Sequence, residues 1–171
     1  LERRLNQLTE EGIEFQTKKN IGQEITIDEL KKNFNAVLIA GGASISRDIE
    51  VPGRNLQGIH FAMDFLSQQN RVCEGDDTPV SRINAEGKRV IIIGGGDTGA
   101  DCLGTAHRQG AKLVTSLEIM PRPPLSRAMK NPWPEWPRIY KIASAHEEGG
   151  ERRYAASTTK FIGNNCLLYT S

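Results

Sequence analysis

The feature that most constrains this 171-residue chain is a β-branched run that ends abruptly in glycine. Val90-Ile91-Ile92-Ile93 is followed at once by Gly94-Gly95-Gly96-Asp97-Thr98-Gly99. A run apolar at every position predicts a strand buried on both faces, the habit of parallel sheets. The glycine spacing GxGxxG fits the turn from such a strand into a helix. Gly94 permits the tight exit, Gly96 lets a pyrophosphate approach the backbone, and Gly99 lets the helix pack closely on the sheet. The helix is predicted to reach about Gln109, with Cys102, Leu103 and Ala106 on one face and Gly110 just past its end. Lys112 to Ile119 reads as the next strand, so the stretch forms one βαβ unit of about 30 residues.

Phosphate suits this turn because the helix start offers unpaired N–H groups and the positive end of the dipole. Gly95, Asp97 and Thr98 fill the variable places. Asp97 is expected as a cap in the first turn, and Thr98 bonds either a phosphate oxygen or its own backbone. The fingerprint also asks for an acid about 20 residues on, to hold a ribose 2′-hydroxyl. Glu118 meets it, and taken alone favours NAD(H). Arg122 and Arg127 follow, and either guanidinium can clamp a 2′-phosphate in bidentate fashion. These residues alone leave the choice of nicotinamide cofactor open.

Elsewhere the signals are local. Leu1, Leu5 and Leu8 lie at helical spacing before Gly12. Ile13, Phe15 and Thr17 alternate with polar residues, predicting a short strand. Thr26 and Glu29 form a capping-box pattern for a helix to about Phe34. Ala36-Val37-Leu38-Ile39-Ala40 predicts a second buried strand, ending in Gly41-Gly42. Ile59 to Leu66 reads as helix, and Asn70 to Glu86 as linker or surface loop. Prolines at 121, 123, 124, 132, 134 and 137 forbid regular structure beyond Met120. Trp133 and Trp136 are expected on a covering loop with their indoles packed on the domain. Lys18-Lys19, Lys31-Lys32 and Arg152-Arg153 read as solvated faces.

The 22 Lys+Arg and 21 Asp+Glu leave a net charge of +1, which argues against binding to nucleic acid or an anionic membrane through bulk charge. No apolar run is long enough to span a membrane. Cys73, Cys102 and Cys166 make no CxxC and no metal spacing, as expected of free thiols in a reducing cytoplasm. His60, His107 and His146 have no nucleophile at a useful spacing and read as surface or packed residues. No catalytic side chain is expected. The chain opens Leu1-Glu2-Arg3-Arg4, without Met or signal peptide, and reads as an internal fragment.

The runs Ile91-Ile92-Ile93-Gly94-Gly95-Gly96-Asp97-Thr98-Gly99-Ala100-Asp101-Cys102 and Asn131-Pro132-Trp133-Pro134-Glu135-Trp136-Pro137 resemble the small (beta) subunit family of glutamate synthase. Glu118-Ile119-Met120-Pro121, Ala40-Gly41-Gly42-Ala43 and Val51-Pro52-Gly53-Arg54 add to the resemblance. It implies an α/β fold, with Rossmann-like parallel sheets in three layers and parts of two nucleotide-binding domains. The implied division is a partial FAD-binding domain at 1–58, a connecting helix and linker at 59–85, a partial NAD(P)H-binding domain at 86–165, and a tail foreign to the family at 166–171. It further implies hydride transfer from NADPH, with NAD(H) the alternative, to FAD. Electrons then pass through iron–sulfur clusters that this fragment does not ligate to the large (alpha) subunit, where glutamine and 2-oxoglutarate yield L-glutamate. Ala40, Gly41 and Gly42 would lie near the flavin. No nucleic acid or membrane partner is implied, and the location is cytoplasmic. The alternatives are a homologous NAD(P)H–flavin module serving another partner, ferredoxin-linked or pyrimidine-reducing, and a nucleotide-binding scaffold without redox chemistry.

Overall fold

The computed structural model describes residues 1–43, 45–76, 81–164 and 167–168. Part of the expected linker (77–80), Cys166 and most of the expected tail lie outside the described residues. The chain divides into two compact units, Leu1–Ser44 and Ile45–Ser171.

The first unit holds α1 (Glu2–Glu10) and α2 (Ile27–Asn33). The predicted stop after α1 is present: Gly12 has φ +92°, and its N–H donates to the Thr9 carbonyl at 3.0 Å. The capping box of α2 is present too. Glu29 N–H donates to Thr26 Oγ1 at 3.2 Å, and Thr26 N–H donates to Glu29 Oε2 at 2.8 Å. That backbone bond from Thr26 holds the Glu29 carboxyl below its ordinary pKa. Asp28 and Glu29 in the first turn and Lys31 and Lys32 in the last complement the helix dipole.

The two strands expected here do not form. Residues 13–17 and 36–40 form no strand and have no ladder partners, and Leu38 and Ile39 are 90% and 84% exposed. A strand takes its hydrogen bonds from a neighbour, and no other described segment of this unit offers one. No residue of α1 or α2 is buried.

The second unit runs α3 (Ala62–Cys73), β1 (Arg89–Ile93), α4 (Asp97–Arg108), β2 (Leu113–Leu117), α5 (Ser144–Glu147), β3 (Glu151–Arg153), β4 (Gly163–Asn164) and β5 (Leu167–Leu168). The predicted helix at Ile59 begins only at Ala62, because Phe61 is extended, and it continues through Cys73 into the stretch expected as linker. β1, β2 and β3 form a parallel sheet in that order, with Ile93 opposite Leu117 and Thr115 opposite Glu151. This is the Rossmann-like α/β arrangement, with α4 as the crossover from β1 to β2. The proline-rich stretch after β2 has no helix or strand until α5. The Arg152-Arg153 pair, expected as a solvated face, lies in β3.

Leu103 and Ala106 of α4 are wholly buried and Val114 of β2 is 1% exposed; with Ile92, Cys102 and Ala85 they form the core. Phe65 and Leu66 of α3 pack against that cluster. Gln109 ties the approach to β1 into place: its Oε1 accepts from Ala85 N–H at 2.8 Å, and its Nε2 donates to Gln69 of α3 at 2.7 Å. The expected burial of β1 on both faces is met on one. Ile92 faces the core, while Ile91 and Ile93 are about half exposed, and no described layer covers their side. Among the described residues no helix is long and apolar enough to cross a membrane.

Candidate functional site

The turn after β1 is built by glycines with different duties. Gly94 has φ +120°, a conformation other residues rarely adopt, and its N–H donates to the Leu117 carbonyl at 2.8 Å. A Cβ on Gly99 would lie 2.3 Å from the Gly94 carbonyl oxygen, so the first turn of α4 can sit this close only without one. A Cβ on Gly95 would meet Glu118 Oε2 at 2.3 Å. Gly96 differs. Its backbone is ordinary extended chain (φ −78°, ψ −175°), and a Cβ there would meet nothing within 4 Å. Neither backbone strain nor packing within the protein calls for glycine at Gly96. Gly96 is also the N-cap of α4 and puts no side-chain cap on it; Asp97 and Thr98 are the first helical residues, both exposed.

Glu118 braces this turn. Its Oε2 accepts from Gly95 N–H at 2.9 Å and its Oε1 from Met120 N–H at 2.8 Å. One carboxylate thus links the glycine turn to the end of β2.

A pocket of about 300 Å³ opens beside the turn. Gly95, Gly96 and Glu118 line it together with Tyr140, Arg152 and Tyr154. His146 also lines it and accepts from Ala143 N–H through Nδ1 at 3.2 Å. Burial, and then the Arg152 charge, hold its pKa below the ordinary value. Cys102 lies in the core under α4, where burial and then Asp101 push its thiol pKa up to about 11.

The sequence candidates fall into three places. Gly94 to Gly99 and Glu118 come together at the turn. Arg122 reaches the same neighbourhood through Tyr140, its guanidinium lying 4.4 Å from the ring centroid. Arg127 is used elsewhere, donating to the Asn131 and Glu135 carbonyls at 3.0 Å each within the proline-rich loop. Ala40, Gly41 and Gly42 belong to the first unit and are exposed, and a Cβ on either glycine would meet nothing within 4 Å.

The indoles are not packed as expected: Trp133 and Trp136 are 82% and 77% exposed. The loop folds around a polar centre. Buried Asn131 donates to Glu135 Oε2 at 2.9 Å and to the Trp136 carbonyl at 3.0 Å, and accepts from Arg138 N–H at 2.8 Å. That amide occupies the inside of the loop and leaves the rings outside. Sequence reasoning also missed Tyr140, Arg152 and Tyr154. The spacing of Arg152 and Tyr154, two apart and so on one side of extended chain, was the available signal.

A parallel βαβ unit with a glycine turn at its crossover defines an α/β protein of the Rossmann-like nucleotide-binding class. More narrowly, the pyridine nucleotide-disulphide oxidoreductase family model matches residues 2–165, and the chain belongs to that family. It is 52% identical over 169 residues to the glutamate synthase [NADPH] small chain of Mycobacterium tuberculosis (strain ATCC 25618 / H37Rv), covering 96% of this chain and 35% of that one. It is 42% identical over 171 residues to the glutamate synthase [NADPH] small chain of Bacillus subtilis (strain 168), with shares of 96% and 35%. Against the glutamate synthase [NADH] of Saccharomyces cerevisiae (strain ATCC 204508 / S288c) the identity is 43% over 171 residues, with shares of 96% and 8%. The chain therefore spans about a third of the bacterial small chains it matches. These relatives bear out the resemblance carried by the glycine turn and the Trp-Pro loop.

Proposed function

We propose that this chain is part of the electron-input arm of a glutamate synthase, in which NADPH reduces FAD for the reductive synthesis of L-glutamate from glutamine and 2-oxoglutarate. The observation that carries the nucleotide site is Gly96, a glycine that the protein's own packing and backbone do not require. Its bareness has a physical use if a phosphate group lies against it.

In this reading the amides of Gly94 to Gly99 and the uncapped start of α4 receive the pyrophosphate. Thr98 offers a hydroxyl, and Asp97 holds the first turn of α4. Glu118 keeps the turn in shape through Gly95. The bound nicotinamide supplies a hydride and the flavin accepts it; the chain's own residues bind and orient. Arg122 is assigned to the adenosine ribose end. Arg127 is retained there only through the loop it braces. Residues 1–58 belong to the FAD-binding domain, with Ala40, Gly41 and Gly42 near the flavin, and residues 86–165 to the NAD(P)H-binding domain. Iron–sulfur clusters and the large (alpha) subunit complete the electron path beyond this fragment, in the cytoplasm.

The relatives' names carry both nicotinamide cofactors, so the preference for NADPH rests on the pocket: both oxygens of Glu118 are engaged by backbone amides, and guanidiniums stand nearby. The test is anaerobic titration of the full-length protein that contains this chain. NADPH is expected to bleach the flavin absorbance, and Gly96→Ala to weaken the titration about tenfold, the effect of a methyl forced into a close contact. Reduction by NADH at least as effective as by NADPH overturns the cofactor assignment. An unaltered titration in Gly96→Ala overturns the site.

A further inference from the structure

His146 lines the pocket beside the glycine turn and has no task in the nucleotide binding described above. It sits on α5, which is fixed to α4 in two ways. Ala145 is 8% exposed, and a Cβ on Gly104 of α4 would stand 3.1 Å from its methyl carbon. Glu148, the C-cap of α5, accepts from Arg108 Nε at 3.1 Å. With both neighbouring contacts in place, α5 presents the His146 ring to the pocket from a held backbone.

The ring is held as well. Ala143, the N-cap of α5, donates its N–H to His146 Nδ1 at 3.2 Å, so the histidine fills the place of the Glu or Gln in an ordinary capping box. A ring nitrogen that accepts carries no proton, and the neutral imidazole therefore bears its proton on Nε2. Burial first, and then the Arg152 charge, favour the neutral ring. Nε2 makes no hydrogen bond among the described residues. Nor is it sealed inside the protein, as His107 Nε2 is.

A donor whose tautomer the backbone has set, and which has no acceptor in the protein, is free for an acceptor on a ligand. Gly95, Gly96 and Asp97 line the same pocket, so the oxygens that come within its reach are those of a pyrophosphate received by the turn. Lys141 and Arg152 line the pocket too, and their charge favours an anion there. Glu118 has both oxygens on the amides of Gly95 and Met120 and leaves the Nε2 proton unclaimed. We infer that His146 donates from Nε2 to a pyrophosphate oxygen of the bound nucleotide, with the Ala143 N–H fixing the tautomer that makes it a donor. This rests on the nucleotide reading above and adds to it a ligand-facing side chain from outside the glycine turn.

The experiment is calorimetric titration of the full-length protein with NADP+ and NAD+ at pH 8, together with NMR of the same protein carrying nitrogen-15-labelled histidine. His146→Ala is expected to weaken both nucleotides by about tenfold, the strength of a hydrogen bond to a charged group, and to leave their ratio within about twofold. His146→Gln should recover most of the loss, because glutamine at this position accepts from the Ala143 N–H and still offers an N–H of its own. In the spectra His146 should be the Nε2–H tautomer, and its Nε2 proton should move downfield when NADP+ is added. The spectra of the unsubstituted protein test the contact even if His146→Ala disturbs α5. An Nδ1–H tautomer, or an Nε2 proton that NADP+ leaves in place, overturns the inference. So does a His146→Ala variant within about twofold of wild type for both nucleotides. A loss confined to NADP+ overturns it too, since the ring would then face the 2′-phosphate. If wild type binds both nucleotides and the ring does not respond, this inference falls alone. If wild type binds neither, the nucleotide reading falls with it.

Discussion

Ala36-Val37-Leu38-Ile39-Ala40 and Val90-Ile91-Ile92-Ile93 look alike on paper, each a short apolar run ending in glycine. Only the second is a strand. β1 hydrogen-bonds to β2 along its whole length and lays Ile92 against Leu103 and Val114. The first run has no ladder partner among the described residues of its unit, and Leu38 and Ile39 face solvent. Apolar character makes a segment available for a sheet. The sheet itself needs a second segment and something to cover it. Helix caps behave differently: the Thr26 box and the Gly12 stop form in a unit none of whose described residues is fully buried, since their partners lie within a few residues.

The contrast breaks most readily in the core. Leu103→Ala should lower the unfolding free energy by about 3 kcal/mol, and Leu38→Ala should stay within about 0.5 kcal/mol, both measured by urea titration. Similar losses at the two sites would show that the first unit has a core of its own. Next come the glycines of the turn. Gly99→Ala, whose Cβ would stand 2.3 Å from the Gly94 carbonyl oxygen, should cost about 2 kcal/mol. Gly96→Ala should cost less than about 0.5 kcal/mol by the same measurement, with nucleotide affinity alone affected.

Cys102 supplies a pH test of the same core. Burial, and then Asp101, raise its thiol pKa to about 11 in the folded chain, from an ordinary 9.0. Above pH 9 the unfolded chain gives up this proton before the folded one does, so stability falls as pH rises from 9 toward 11. The loss is at most about 2 kcal/mol, read from melts across that range. An alkylating reagent at pH 8 should label exposed Cys73 and leave Cys102 unmodified until the chain unfolds. The smallest effect belongs to the first unit. Thr26→Ala should weaken α2 by about 1 kcal/mol, seen as faster amide exchange at Leu30 and Phe34 with no change at Ile92. Faster exchange that spread to β1 would join the two regions into one cooperative unit.

Much of the second unit was legible because its signals are short-range. The β-branched run, the glycine spacing and the apolar face of Cys102, Leu103 and Ala106 each report on a few neighbouring residues, and the structure keeps all three. Glu118 was legible by spacing, though its bonds to Gly95 and Met120 were not, because those amides meet it only once β1 and β2 pair. Tyr140 and Arg152 were illegible for a like reason. They lie 12 residues apart and on either side of α5, and their contact exists only because β3 docks on β2. The Trp-Pro loop was misread in its packing because its centre is the Asn131 amide, and an amide gives no periodic signal.

By itself, then, the sequence determined the family, the turn after β1 and the helix caps, all of which depend on the chemistry of adjacent residues. Tertiary structure decided which apolar runs became strands, which face of β1 was covered, and which arginines met a carboxylate or a tyrosine ring. Those outcomes depend on partners distant along the chain, and hydrogen bonding, burial and charge pairing are satisfied only where the fold brings them within reach.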